Sequence, residues 1–249
     1  MRAGAEGGGC FPTGRHYPGI AHLLRVAAQG LANEFDAQTA VTELSLVSLD
    51  TETTGRDAET DRVIEVGGVV WRNGDIIARH GWLINPGCPI PKEAFDVHGI
   101  SDDDVRDKPS FAEVLPEIVA AFAGAVPVAY NAEFDKGFLL AELSRAGRAP
   151  ATLPPAFRSG VEWIDPLVWA RTLQADEKSR ALADVAERLG AKPQTSHRAV
   201  ADAETSLFVL RQFLQDSRVP DTYGAFIREQ RRLAYDFNKE RQARWNRPS

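Results

Sequence analysis

The stretch LSLVSLDTETTG, residues Leu44 to Gly55, decides how this chain is read. Leu44, Leu46, Val47 and Leu49 form a mostly apolar run of strand length. The run ends in two carboxylates, Asp50 and Glu52. Side chains alternate along a strand, so residues two apart project from the same face. Two like charges that close are costly unless a cation or a shared proton compensates them. Thr53, Thr54 and Gly55 are turn residues, which lets the chain leave without covering the acids.

Downstream, VIEVGGVVW (Val63 to Trp71) and IIARHGWLI (Ile76 to Ile84) read as second and third strands. The Asn73-Gly74-Asp75 turn between them predicts an antiparallel hairpin. Val126 to Tyr130 is a fourth strand, and Trp163 and Ile164 suggest a short fifth. Helices are expected over Ser110 to Gly124, with a Ser110/Glu113 capping box and Pro116 deep enough to shorten or kink the first turn. Others are expected over Glu133 to Arg145, stopped at Gly147, from Asp165-Pro166, over Ser179 to Leu189, and from about Arg198 to Gln215. Pro86 to Pro109 is a long irregular segment centred on Val97-His98-Gly99-Ile100, and loops this long are often functional. Asp102, Asp103 and Asp104 read as a solvated, helix-initiating run, not a metal site. Strands followed by helices, with an early hairpin, give an α/β domain.

The whole chain bounds the answer. At 249 residues, with 43% hydrophobic and 26% charged residues, it is an ordinary globular protein with room for one large domain. We divide it into an N-terminal extension (1–43), a main domain (44–215) and a basic, helical C-terminal tail (216–249). The extension begins Gly-rich and can form a short amphipathic helix over 18–36, with Ile20, Leu23, Leu24, Ala27 and Leu31 on one side. The tail carries seven basic residues against four acids from Asp221 on, with Phe226, Leu233 and Phe237 facing inward. The net charge of −6 does not point to nucleic acid. Acids gathered around metal ions make a chain look acidic, however, while the bound cations reverse the local charge. Cys10 and Cys88 lie in unrelated contexts, without a C-x-x-C. A reducing compartment and a cytoplasmic location are therefore expected. His22 and Arg25 interrupt the N-terminal apolar stretch, and no run approaches the length needed to cross a bilayer, so no membrane role is expected.

Open α/β sheets place sites at the carboxyl ends of their strands. Asp50 and Glu52 end strand one, and Asp135 lies just past strand four at a helix start. If those strands are neighbours, three acids converge. Asp202, on the last long helix of the domain, is a fourth. His197 precedes it by five residues, about 140° away on a continuous helix at about 100° per residue. His197 must then lie at or before the helix start to share the site, and Thr195-Ser196 ahead of it are suitable caps. Four carboxylates without cysteine suit hard divalent cations such as Mg²⁺ or Mn²⁺. Two such ions roughly 3.5–4 Å apart clamp the attacking and leaving oxygens of a phosphoryl displacement. His197 can take the proton of the attacking water near neutral pH. The reaction class that fits such a set is phosphodiester hydrolysis.

LDTETTG (49–55), YNAEFD (130–135) and HRAVAD (197–202) resemble, in order and spacing, the three sequence blocks of the DEDDh 3′–5′ exonucleases. VHGI (97–100) is similar to a segment of the proofreading epsilon subunits of bacterial DNA polymerase III within that family. The resemblance covers about residues 44–215. It implies a ribonuclease H-like fold, a mixed five-stranded sheet flanked by helices. It implies Asp50, Glu52, Asp135 and Asp202 as ligands of two divalent cations, Mg²⁺ or Mn²⁺, and His197 as general base. It implies that Val97, His98 and Phe134 hold the terminal nucleotide, with stacking that tolerates any base, that Thr51 belongs to the substrate-binding set, and that Asn131 positions the substrate. Tyr130 departs from the pattern, standing where the proofreading subunits often have histidine.

The implied activity is removal of nucleoside 5′-monophosphates from nucleic-acid 3′ ends, single-stranded DNA being favoured. Two other readings stand beside it. One is an exoribonuclease trimming RNA or short oligoribonucleotides. The other is an inactive binding module on a polymerase, whose signature would be erosion among the five catalytic positions; none is eroded. Gln230 to Tyr235 (QRRLAY) faintly resembles peptides that dock on sliding clamps, so a polymerase or clamp is a partner to test.

Overall fold

A computed structural model describes residues 29–147, 152–191 and 198–245, with side chains through 243. Four strands form one mixed sheet in the order β3-β2-β1-β4. They are β1 (Leu46–Thr53), β2 (Val63–Arg72), β3 (Asp75–Leu83) and β4 (Val126–Val128). Strand β1 is central, antiparallel to β2 and parallel to β4. The expected hairpin is present: β2 and β3 pair antiparallel, and Asn73 and Gly74 both adopt positive φ (52° and 94°), as a tight two-residue turn requires.

The eight helices among the described residues are α1 (Lys92–His98), α2 (Asp102–Val105), α3 (Phe111–Ala121), α4 (Ala132–Ala146), α5 (Pro166–Leu173), α6 (Leu182–Arg188), α7 (Ala199–Phe213) and α8 (Tyr223–Trp245). The acidic run at 102–104 starts α2 under a Ser101/Asp104 capping box, as read. Helix α3 starts at the Ser110/Glu113 box, and Pro116 lies inside it without ending it. Helix α4 closes on Gly147 at φ 68°.

The sheet separates two cores. Leu46, Val69, Val126 and Val128 pack with Leu207, Leu210 and Phe213 of α7 and with α5 and α8 on one face. Val47, Leu49, Val66 and Val70 pack with Phe111, Ile118 and Phe122 of α3 and Phe138 of α4 on the other. The alternation of β1 sets this division, and it also sets which way each acid at the strand's end faces.

The sequence reading departs from the structure at four places. The expected fifth strand is a single parallel bridge, Val128 to Ile164. It cannot lengthen, because Asp165 already caps α5 and Pro166 occupies its first turn, while on the other side Glu162 N donates to Gly30 O. Residues 29–36, the described part of the expected N-terminal helix, form turns, with Gly30 at φ 82°; Leu31 still packs on the core. Residues 18–28 lie outside the described residues. Helix α6 is shorter than the expected 179–189. Finally, Gln230 and Leu233 are 3% and 8% exposed, so 230–235 is not presented as a docking peptide. The basic C-terminal stretch is helical as expected, and its first half belongs to the core: the Phe226 ring lies 4.8 Å from that of Trp169, tilted by 43°.

Candidate active site

The strand alternation that divides the cores delivers Asp50 and Glu52 to the α7 face, where Asp202 stands in the first turn of that helix. One carboxylate oxygen from each of Asp50, Glu52 and Asp202 lies within 4.8 Å of the others, and all three residues are half-buried. Thr51, between the two strand acids, points to the opposite face and is buried. There it donates its backbone N–H and its hydroxyl to Oδ1 of Asp135, both at 2.8 Å. Asp135 is buried in the first turn of α4, outside the three-residue cluster, yet near enough for its charge to act on both Asp50 and Glu52. The pairing of β1 with β2 shifts register just after Glu52, so a bulge ends the ladder at the acids.

The electrostatics are those of crowded carboxylates drawn out of water. Burial, then the charges of Asp135, Glu52, Asp202 and Glu65, push Asp50 well above the usual carboxylate range. Burial and the charges of Asp202, Glu65 and Asp135 push Glu52 up to about 8, against the pull of Arg198. Asp135 is also raised by burial, against the hydrogen bonds from Thr51. An all-oxygen donor set with excess negative charge fits Mg²⁺ or Mn²⁺.

The remaining expected residues fall in different settings. His197 lies outside the described residues; helix α7 begins at Ala199. Thr195 and Ser196, offered as caps, also lie outside. The N-cap is Arg198, which makes no side-chain cap, and the first free N–H of α7 is taken by the strand beneath it, where Glu65 Oε2 accepts from Ala199 N at 3.2 Å. His98 ends α1, buried; its Nδ1 accepts from Ile100 N at 3.0 Å. Burial holds it toward the neutral form, opposed by the Glu65 charge and the Thr53 backbone. Val97 beside it is 56% exposed and Phe95 is 43% exposed, two apolar side chains that α1 leaves in solvent. Phe134 is half-buried, its ring 4.9 Å from that of Phe138. Asn131 is exposed in the left-handed region (φ 70°), which turns the chain from β4 into α4. Tyr130, the departure from the family pattern, donates its hydroxyl to Arg180 O at 2.7 Å, so it ties down the segment before α6.

Two further acids support the site. In the sequence Asp165 marks only a helix start. Its carboxylate caps α5 through Leu167 N and also accepts from Asn131 N (3.0 Å) and Ala132 N (3.1 Å), fixing the start of α4 and hence Asp135. Glu65 is 3% exposed and lies directly across from Glu52 in the β1–β2 register. Its signal was present: one charge in the apolar run VIEVGGVVW.

Comparison with known proteins gives the following. The family model RNase_T, described as Exonuclease, matches residues 47–210. The DNA polymerase III PolC-type protein of Thermotoga petrophila is 33% identical over 175 residues, 69% of this chain and 12% of that protein. The DNA polymerase III subunit epsilon of Treponema pallidum is 42% identical over 107 residues, 43% of this chain and 50% of that one. The chain therefore spans half or less of these relatives' length. Among solved structures, Exonuclease X in complex with 5′ overhanging duplex DNA is 25% identical, with a TM-score of 0.55 over 71% of this chain and 95% of that one. The nuclease domain of 3′hExo, a DEDDh family member bound to rAMP, shares the fold at 16% identity, with a TM-score of 0.59 over 72% of this chain and 96% of that one.

Proposed function

The chain belongs to the RNase_T exonuclease family, and from that premise we propose that it is a metal-dependent 3′–5′ exonuclease that removes nucleoside 5′-monophosphates from DNA 3′ ends. The observation that carries this reading is the convergence of Asp50, Glu52 and Asp202 within 4.8 Å, with Asp135 behind them. No catalytic position of the family pattern is missing from the sequence.

In this reading Asp50, Glu52, Asp135 and Asp202 hold two divalent cations, Mg²⁺ or Mn²⁺. When bound, the cations supply charge stabilisation to the attacking and leaving oxygens of the phosphoryl displacement. His197 takes the proton of the attacking water. The water oxygen bonds to the scissile phosphorus as the bond to the penultimate 3′ oxygen breaks. That oxygen takes a proton from solvent and leaves as the new 3′ hydroxyl. Thr51 holds Asp135 in place through its two hydrogen bonds. Val97, His98 and Phe134 hold the terminal nucleotide, and stacking on an aromatic face accepts any base. Asn131 positions the strand at the start of α4. The polymerase relatives make a replicative polymerase the partner to test.

The test uses 3′- and 5′-labelled single-stranded DNA and RNA of matched sequence, each with Mg²⁺, with Mn²⁺ and with EDTA. Metal-dependent release of mononucleotides from DNA 3′ ends, with RNA much slower, is expected. Faster hydrolysis of RNA would move the assignment to an exoribonuclease. Hydrolysis of neither would count against an enzyme that works alone and turn attention to the C-terminal tail and to a missing partner.

A further inference from the structure

Glu65 and Arg198 join β2 to the start of α7. Arg198 Nη2 lies 2.7 Å from Glu65 Oε1, and its Nε lies 3.2 Å from both carboxylate oxygens. Glu65 Oε2 also accepts from Ala199 N. The helix is seated directly on the strand beside this pair: a Cβ on Gly67 would come within 2.2 Å of the Ala199 carbonyl carbon. The start of α7 thus has a steric seat at Gly67 and an ionic tether at Glu65.

A neutral acceptor could cap Ala199 without adding charge. The chain instead places a buried carboxylate directly across from Glu52, where its charge works against ionisation of both strand acids. A buried charge persists when a partner of good geometry compensates it. Arg198 provides a planar fork while remaining half-exposed, at 51%. The electrostatic cost of Glu65 therefore has its return in the ion pair, and the pair's other end lies four residues before Asp202 and next to His197.

We propose that Glu65 and Arg198 form a positioning strut that fixes the first turn of α7, and with it Asp202, against Asp50 and Glu52. Neither residue is a catalytic residue in this assignment; both act through α7. The inference rests on the exonuclease reading above.

The experiment compares wild type with Glu65→Gln, Arg198→Met, Arg198→Lys and the double variant Glu65→Gln/Arg198→Met. Three quantities are read: Mn²⁺ binding without nucleic acid, by electron paramagnetic resonance; kcat and KM on a single-stranded DNA; and melting temperature in EDTA. Residues that orient metal ligands are worth about 10–100-fold in affinity or activity. Glu65→Gln and Arg198→Met are each expected to weaken Mn²⁺ binding and lower kcat by about 10-fold or more, with KM nearly unchanged. Arg198→Lys, which keeps the charge but not the fork, falls between. The double variant is no worse than Glu65→Gln alone, since both changes break one contact. If Glu65→Gln does not fold, Arg198→Met carries the test, because its side chain is half in solvent. An active wild type with Glu65→Gln and Arg198→Met binding Mn²⁺ and turning over as it does would overturn the strut. So would a rise in KM alone on Arg198→Met, which would make Arg198 a direct substrate contact. A wild type that neither binds Mn²⁺ nor hydrolyses DNA would overturn the functional reading instead.

Discussion

Thr51 gives both its backbone N–H and its hydroxyl to one oxygen of Asp135, each over 2.8 Å. The two residues come from different elements, β1 and α4, and the contact joins the strand that carries two acids to the helix that carries a third. Hydrogen bonds to a charged group are worth roughly 1.5–3 kcal/mol. Thr51→Val keeps the β-branched shape and the backbone donor but removes the hydroxyl. Asp135 then holds its charge less readily and loses one fixed direction. The expected outcome is a loss of about 10-fold in kcat on DNA, at about 1.4 kcal/mol per factor of ten, with a small loss of stability. Rates across a Mg²⁺ series would check it, since extra metal should recover part of the loss.

The acid cluster also makes a prediction about pH without metal. Burial and neighbouring anions raise Glu52 from its ordinary 4.5 to about 8. A carboxyl with a higher pKa folded than unfolded binds its proton more tightly in the folded state. Its stabilising contribution is full below about pH 4.5 and is lost as pH rises to about 8. In EDTA, wild type should therefore lose melting temperature relative to Glu52→Gln between pH 5 and pH 8. Excess Mg²⁺ should abolish that loss, because the cation compensates the charge instead of a proton. Parallel melting curves for the two proteins in EDTA across this range would show that Glu52 is not under this strain.

Local chemistry made much of this legible. Apolar alternation ending in Asp50 and Glu52 located β1 and the face its acids share. Asn73-Gly74 placed the hairpin, and Asp165-Pro166 the start of α5. What stayed hidden depends on contacts between residues distant in sequence. Glu65 and Arg198 are 133 positions apart, and no local pattern links a lone acid in a strand to a helix cap beyond the domain's far side. The same limit applies to the start of α7: no local pattern shows that its Ala199 N–H is taken by Glu65 of the strand beneath it. The fifth strand failed because its two ladder bonds, Ile164 N to Pro127 O and Ala129 N to Ile164 O, are ended at once by the α5 cap.

Asp202 and His197 should separate ligand from base. Asp202→Ala removes one of the three clustered carboxylates, and hydrolysis is expected to fall below detection while the fold survives. His197→Ala should lower kcat by roughly 10²–10⁴-fold and leave Mn²⁺ binding largely intact. Metal titration beside single-turnover kinetics distinguishes the two. Collapse of metal affinity in His197→Ala would make His197 a ligand, and near-normal turnover of Asp202→Ala would remove Asp202 from the site.

Gln230 tests whether α8 is part of the catalytic fold. Its amide donates to Trp163 O and accepts from Asp165 N, both at 2.8 Å and both buried. Asp165 in turn holds Asn131 N and Ala132 N at the start of the helix that carries Asp135. Gln230→Leu fills the space but orphans two buried backbone groups, at roughly 1–3 kcal/mol each. Chemical denaturation should show that loss as a lower midpoint with an unchanged slope. Under folding conditions the variant should also lose kcat, because the start of α4 is no longer held from behind. If stability falls and kcat does not, α8 only closes the core, and Asp165 fixes α4 without help from the C-terminal helix.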